Sequence, residues 1–208
     1  MADSYSSFER LYLAPARRVL LALYSPLVRV LAALRVSPNA VSFSQVIVGV
    51  IVVALMPSQP RVAFLLFLAA LALDGIDGAL ARATNRVTKF GALFDQYCDH
   101  IREVTVVAGL GLHGALNPLL AGLYGLAYPG FNLTLYICNS YRAPLPFAIK
   151  SYAVVYPALL AYLWFGANVL DAAVALSIAL MGIVIVMGLF NLHRVMDRPP
   201  IENPQSEI

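Results

Sequence analysis

Six long apolar runs, parted by connections that are alternately basic and nearly uncharged, constrain this chain more than any other feature. They span roughly residues 41–56, 62–82, 92–112, 118–138, 152–169 and 172–192. About 20 mostly apolar residues are needed to cross the hydrocarbon of a bilayer as a helix. Inside lipid the backbone has no water to bond, so a spanning chain must be helical or a closed barrel. Hydrophobic residues make up 61% of the 208 and charged residues 12%, about half the charged share of a soluble domain. The expected fold is an all-α membrane protein of about six transmembrane helices, preceded by an amphipathic juxtamembrane helix.

The basic residues orient that layout. Arg10, Arg17, Arg18, Arg29 and Arg35 precede the first run, and Arg82, Arg86 and Lys89 lie between the second and third. Arg142 and Lys150 lie between the fourth and fifth, and Arg194 and Arg198 follow the sixth. The opposite connections hold only Arg61, while Arg102 falls within the third run. Cytoplasmic loops collect Lys and Arg, so both termini are expected in the cytoplasm. Asp3, Glu9, Pro26 and Arg29 argue against a signal peptide. At about 100° per residue, Arg10, Arg17 and Arg35 project one way from residues 8–34, with Arg18 and Arg29 on an adjacent flank. That pattern reads as a helix along the interface, its arginines toward anionic lipid, bent at Pro15 and Pro26. The expected organisation is an interfacial segment at 1–40, a six-helix catalytic domain at 41–195 and a polar tail at 196–208. Cys98 and Cys138 read as small packing residues.

Against this background four acids stand out: Asp74 and Asp77 in the second run, Asp95 and Asp99 in the third. Ionisable groups within a membrane helix are costly and mark functional sites. Spacings of i,i+3 and i,i+4 place each pair on one helix stripe. Their short connection makes the second and third runs antiparallel neighbours; at about 1.5 Å per residue, Asp77 lies about 24 Å from Arg61 and Asp95 about 27 Å from His113, so the pairs are level, near the cytoplasmic side. Four level carboxylates repel unless neutralised, and hard oxygen ligands suit Mg²⁺ or Mn²⁺. Two such ions would clamp a diphosphate. Gly78 and Gly91 lack side chains that would keep a ligand from the backbone. Arg82, one turn from Gly78, suits a phosphate or a snorkelling interface charge.

The stretch from Asp74 to Asp99 reads D-x2-D-G-x2-A-R-x8-G-x3-D-x3-D. It resembles the signature of the CDP-alcohol phosphatidyltransferase family at every fixed position: Asp74, Asp77, Gly78, Ala81, Arg82, Gly91, Asp95 and Asp99. The resemblance implies that Asp74, Asp77 and Asp95 hold the metals, with Asp99 completing the site and acting as general base. It implies that Gly78, Ala81, Arg82 and Gly91 line a CDP pocket, and that the acceptor hydroxyl attacks the β-phosphorus directly and releases CMP. The implied partners are a CDP-linked lipid donor, a small alcohol acceptor, the bilayer and a second copy of the chain. Nucleic acid is not an expected partner.

Two weaker similarities extend the site. Pro38-Asn39-Ala40-Val41-Ser42 looks like the family's P-N-x-x-[ST] element, which would put Asn39 and Ser42 beside the nucleotide; a helix start capped by Ser37 or Asn39 explains the same residues. Arg142-Ala143 is similar to a pair in members that use phosphorylated polyols, so Arg142 and Lys150 are candidate acceptor-phosphate ligands; ordinary cytoplasmic anchoring explains them equally. The chain departs from many relatives in carrying His100, not Lys or Arg, after the last aspartate. Two other classes compete. An intramembrane prenyltransferase would carry two separate acidic motifs, and a transporter or cation channel would tend to show repeated halves with broken helices; neither pattern is found.

Overall fold

The computed structural model describes residues 24–141, 143, 145 and 151–196. The described residues are helical and contain no strand. A short helix α1 (residues 24–33) precedes α2 (Pro38–Leu55), α3 (Pro60–Ala83), α4 (Lys89–Leu112), α5 (Pro118–Ser140), α6 (Val155–Phe165) and α7 (Leu170–Met196). The six later helices occupy the positions of the six expected spans. Three of them, α2, α3 and α7, are long and apolar enough to cross a membrane. The other three differ for local reasons. At 24 residues α4 has the length but carries two aspartates, Arg102 and Glu103. In α5 Pro129, Asn132 and several tyrosines and glycines dilute the apolar run. Only 11 residues long, α6 falls short of the expected 152–169. Gly166 stops it by taking the left-handed conformation at φ 73°, where its N–H and that of Ala167 donate to Tyr162 and Ala161.

Caps written in the sequence set the starts that matter for the site. Ser37 Oγ accepts from the Ala40 N–H at 3.1 Å, with Pro38 in the first turn of α2. Thr88 Oγ1 accepts from the Gly91 N–H at 2.9 Å at the start of α4. Each leaves one fewer orphan donor at its helix end. Asn117 caps α5, and its own N–H donates to Asp171 of α7 at 2.8 Å, tying two helix starts together.

Neighbour relations close the six helices into a ring in the order α2, α3, α6, α7, α5, α4 and back to α2. The sequence suggested that α3 and α4, joined by a short connection, would pack side by side. In the structure they scarcely touch along their backbones, and α2 packs closely on both. Its approach to α4 is close because Gly49 faces the Arg102 stem and Gly109 faces Val53. Away from the acids, Phe64, Phe67, Val107, Leu110, Phe131, Leu135, Leu159, Leu163 and Met181 form one apolar core. The outer surface is apolar too, with Leu65, Leu68, Leu126, Leu133, Ile183, Val186 and Phe190 exposed. So large an exposed apolar surface suits lipid, not water.

The expected interfacial helix at 8–34 is described only from residue 24. There α1 lays Tyr24, Val28 and Leu31 against Val41 of α2 and Ile76, Ala79 and Leu80 of α3, so the described part packs on the helices behind the acids. It does not continue to Arg35, whose backbone is left-handed at φ 55°.

Candidate active site

The opening between α3 and α4 is where the acids meet. Asp74, Asp95 and Asp99 each present a carboxylate oxygen within 4.8 Å of the others. The Asp77 carboxyl comes within hydrogen-bonding reach of Asp95, and Asp74 of Asp99. Asp77 is the most buried of the four at 3% exposure and takes a hydrogen bond from Ser42 Oγ at 2.5 Å. Asp99 accepts from Arg102 Nη1 at 2.9 Å. Arg102 also donates to Gln45 Oε1 on α2. One face of α2, carrying Ser42, Gln45 and Gly49, thus tethers an acid on α3 and, through Arg102, an acid on α4.

Whether a divalent cation fits can be judged from the donors. Like-charged carboxylates held this close need a positive charge among them. All four offer hard oxygen. Asp95 Oδ1 is buried with no hydrogen-bond partner, a condition native proteins seldom leave uncompensated. The residues fit a bound divalent metal.

Beside the acids lies a cavity of about 270 Å³ lined by Pro38, Asn39, Ser42, Asp77, Gly78, Ala81, Arg82, Arg86, Val87, Thr88, Gly91, Ala92 and Asp95. All six residues expected at the nucleotide, namely Asn39, Ser42, Gly78, Ala81, Arg82 and Gly91, border this one space. The two glycines differ in the room they leave. A side chain at Gly91 would press on Thr88 Oγ1 at 3.0 Å and Asn39 Oδ1 at 3.4 Å, and one at Gly78 would meet the Arg82 guanidinium at 3.4 Å. The Thr88 cap thus leaves little room for a side chain at Gly91, whereas the Arg82 guanidinium lies at ordinary contact distance from Gly78.

Arg142 and Lys150 lie outside the described residues. His100 is half-buried and meets the Tyr128 ring edge-on at 5.4 Å. Sequence reasoning missed Gln45, Arg86 and Thr88 as parts of the site. A signal existed for two of them: Gln45 is one helical turn from Ser42 in an apolar run, and Thr88 stands just before a basic helix start. It also missed Glu103, buried at 1% exposure, which accepts from Tyr124 Oη at 2.8 Å and Tyr156 Oη at 2.9 Å.

Comparison with known proteins shows the family and the fold. Residues 35–147 match the family model of CDP-alcohol phosphatidyltransferase. An archaetidylinositol phosphate synthase of Pyrococcus horikoshii is 34% identical over 95 residues, 43% of this chain and 48% of that protein. The chain thus spans about half the length of the curated relatives it matches. Among solved structures, the phosphatidylinositol phosphate synthase of Mycobacterium tuberculosis with CDP-DAG bound superposes with a TM-score of 0.72 at 18% identity, covering 88% of this chain and all of that one. The same enzyme in complex with manganese and citrate gives 0.69 at 16% identity, covering 84% and 92%.

Proposed function

The chain belongs to the CDP-alcohol phosphatidyltransferase family, and from that premise we propose that it moves a phosphatidyl group from a CDP-linked lipid to the hydroxyl of a small alcohol, releasing CMP. One observation carries this reading: the cavity bordered by all six nucleotide candidates shares Asp77 and Asp95 with the acidic cluster. A nucleotide head in that cavity would place its diphosphate against the carboxylates.

Each residue then has a task. Asn39, Gly78, Ala81 and Gly91 shape the pocket for the cytidine monophosphate part. Arg82, whose guanidinium lies beside Gly78, pairs with a phosphate oxygen. Asp74, Asp77, Asp95 and Asp99 would hold divalent metal, Mg²⁺ or Mn²⁺, as two ions. When bound, such ions neutralise the cluster, stabilise charge on the diphosphate and favour departure of CMP. Asp99 takes the proton from the acceptor hydroxyl. The freed oxygen forms a bond to the β-phosphorus as the bond from that phosphorus to the CMP oxygen breaks. The CDP-DAG complex and the manganese complex of the M. tuberculosis structures support the donor and metal assignments.

The acceptor we propose is a phosphorylated polyol, inositol phosphate foremost, held by Arg142 and Lys150. The names of the P. horikoshii and M. tuberculosis proteins support this choice. The basic connections support a multi-pass protein with both termini and the active site on the cytoplasmic side, and the family supports a homodimer. The deciding experiment measures CMP release by the purified chain in lipid micelles with CDP-diacylglycerol and Mg²⁺. Inositol phosphate, glycerol 3-phosphate, serine and inositol are supplied one at a time. Release with inositol phosphate alone is expected; release with another single acceptor reassigns the head group, and none with any acceptor overturns the donor assignment.

A further inference from the structure

We propose that Arg102 is the positioning residue of Asp99, and that α2 sets its placement through Gln45. Arg102 is 3% and Gln45 0% exposed. Arg102 Nη1 reaches Asp99 Oδ1 at 2.9 Å and also Gln45 Oε1. Its stem lies against the backbone of α2 at Gly49, where an added side chain would come within 3.2 Å of Cγ. The guanidinium is therefore held by a neighbouring helix as well as by its own. An aspartate with one oxygen fixed this way cannot spin about its side chain. Asp99 presents its second oxygen in one direction, to a metal or to the acceptor proton.

A purely structural role explains the arrangement poorly. Arg102 Nε and Gln45 Nε2 are buried without partners, and each such group is destabilising. Arg102 is buried while the Asp99 side chain is 26% exposed, and taking a guanidinium out of water offsets much of what its ion pair contributes to stability. Farther along the same α2–α4 contact Val53 meets Gly109 and its carbonyl bonds to the His113 ring at 2.9 Å, where no buried charge is involved. The polar contact beside Asp99 is thus expensive, and its return is the orientation of a reacting carboxylate. Misplacing such a group by about 1 Å costs about 100-fold in rate.

The proposal rests on Asp99 acting as base and metal ligand, so its test reads metal and turnover separately. The full chain in lipid micelles is compared with Arg102→Met, Arg102→Lys and Gln45→Met. The measurements are Mn²⁺ binding by electron paramagnetic resonance, kcat and KM for CMP release, and thermal unfolding. In Arg102→Met, kcat should fall about 100-fold with KM for the donor little changed. Mn²⁺ should bind at least as tightly, since a cation has left its neighbourhood, but with an altered line shape as Asp99 reorients. Arg102→Lys should recover part of the loss. Gln45→Met, which leaves every charge in place, should lower kcat about ten-fold and carries the comparison if Arg102→Met does not fold. Unchanged kcat and line shape in the folded variants would overturn the proposal, as would loss of Mn²⁺ affinity and turnover in parallel with unfolding. If the natural chain released no CMP, the transferase reading would fall, and the line shape alone would decide whether Arg102 orients Asp99.

Discussion

Asp95 and Glu103 stand on one helix about 12 Å apart, and the protein treats them in opposite ways. Glu103 is sealed in the ring with a tyrosine hydroxyl on each oxygen, one from α5 and one from α6. Asp95 looks into the opening between α3 and α4, close to a second carboxyl and with one oxygen unpartnered. Both are acids in a helix among apolar neighbours. What separates them is satisfaction: Glu103 is bonded through both oxygens and ties helices together, whereas Asp95 keeps one buried oxygen without a hydrogen bond.

Four experiments test that contrast, beginning with the largest effect. Removal of divalent ions by excess EDTA should reduce CMP release to background, and Mg²⁺ or Mn²⁺ should restore it, while helical circular dichroism holds steady throughout. Full turnover in EDTA would take the metal out of the acidic cleft. Asp99→Asn should come next. Its amide oxygen can still accept from Arg102, so the chain stays folded. It cannot take the acceptor proton, and turnover should fall about 10²–10⁴-fold; near-normal turnover would remove Asp99 as the base. Glu103→Leu should do the reverse. It takes away the acceptor of the Tyr156 hydroxyl and one partner of Tyr124, at a cost of about 1–3 kcal/mol, visible as a lowered midpoint of thermal unfolding. Turnover per folded molecule should be nearly unaltered, and a selective loss of kcat would erase the distinction between the two acids. The smallest change is expected for Tyr124→Phe, about 1 kcal/mol, since Tyr156 still serves the other oxygen.

Much of the acidic side was legible because its logic is local. The spacings of Asp74, Asp77, Asp95 and Asp99 fix which stripe of a helix each occupies, and Gly78, Ala81 and Arg82 follow within about one turn. Ser37 and Pro38 announce where α2 begins, whereas Thr88 starts α4 at Lys89, ahead of the run read from residue 92. The Glu103 side was not legible, because Tyr124 and Tyr156 reach it from two other helices and no spacing within α4 reports them. The position of α2 escaped for the same reason. A short connection made α3 and α4 look like neighbours, yet the glycines that draw α2 onto α4 are meaningful only once one knows which helix lies opposite. The length of α6 turned on Gly166, whose left-handed backbone ends a helix that hydropathy alone would have continued.

Because α2 packs on both helices that bear the acids, its girth works as a spacer gauge. Ser42, Gln45 and Gly49 are the shims on its inner face, and none of them carries charge. A methyl group added at Gly49 would push on the Arg102 stem and so on the distance from Asp99 to Asp74. The spacing of the aspartates is thereby written on a helix that contributes no aspartate.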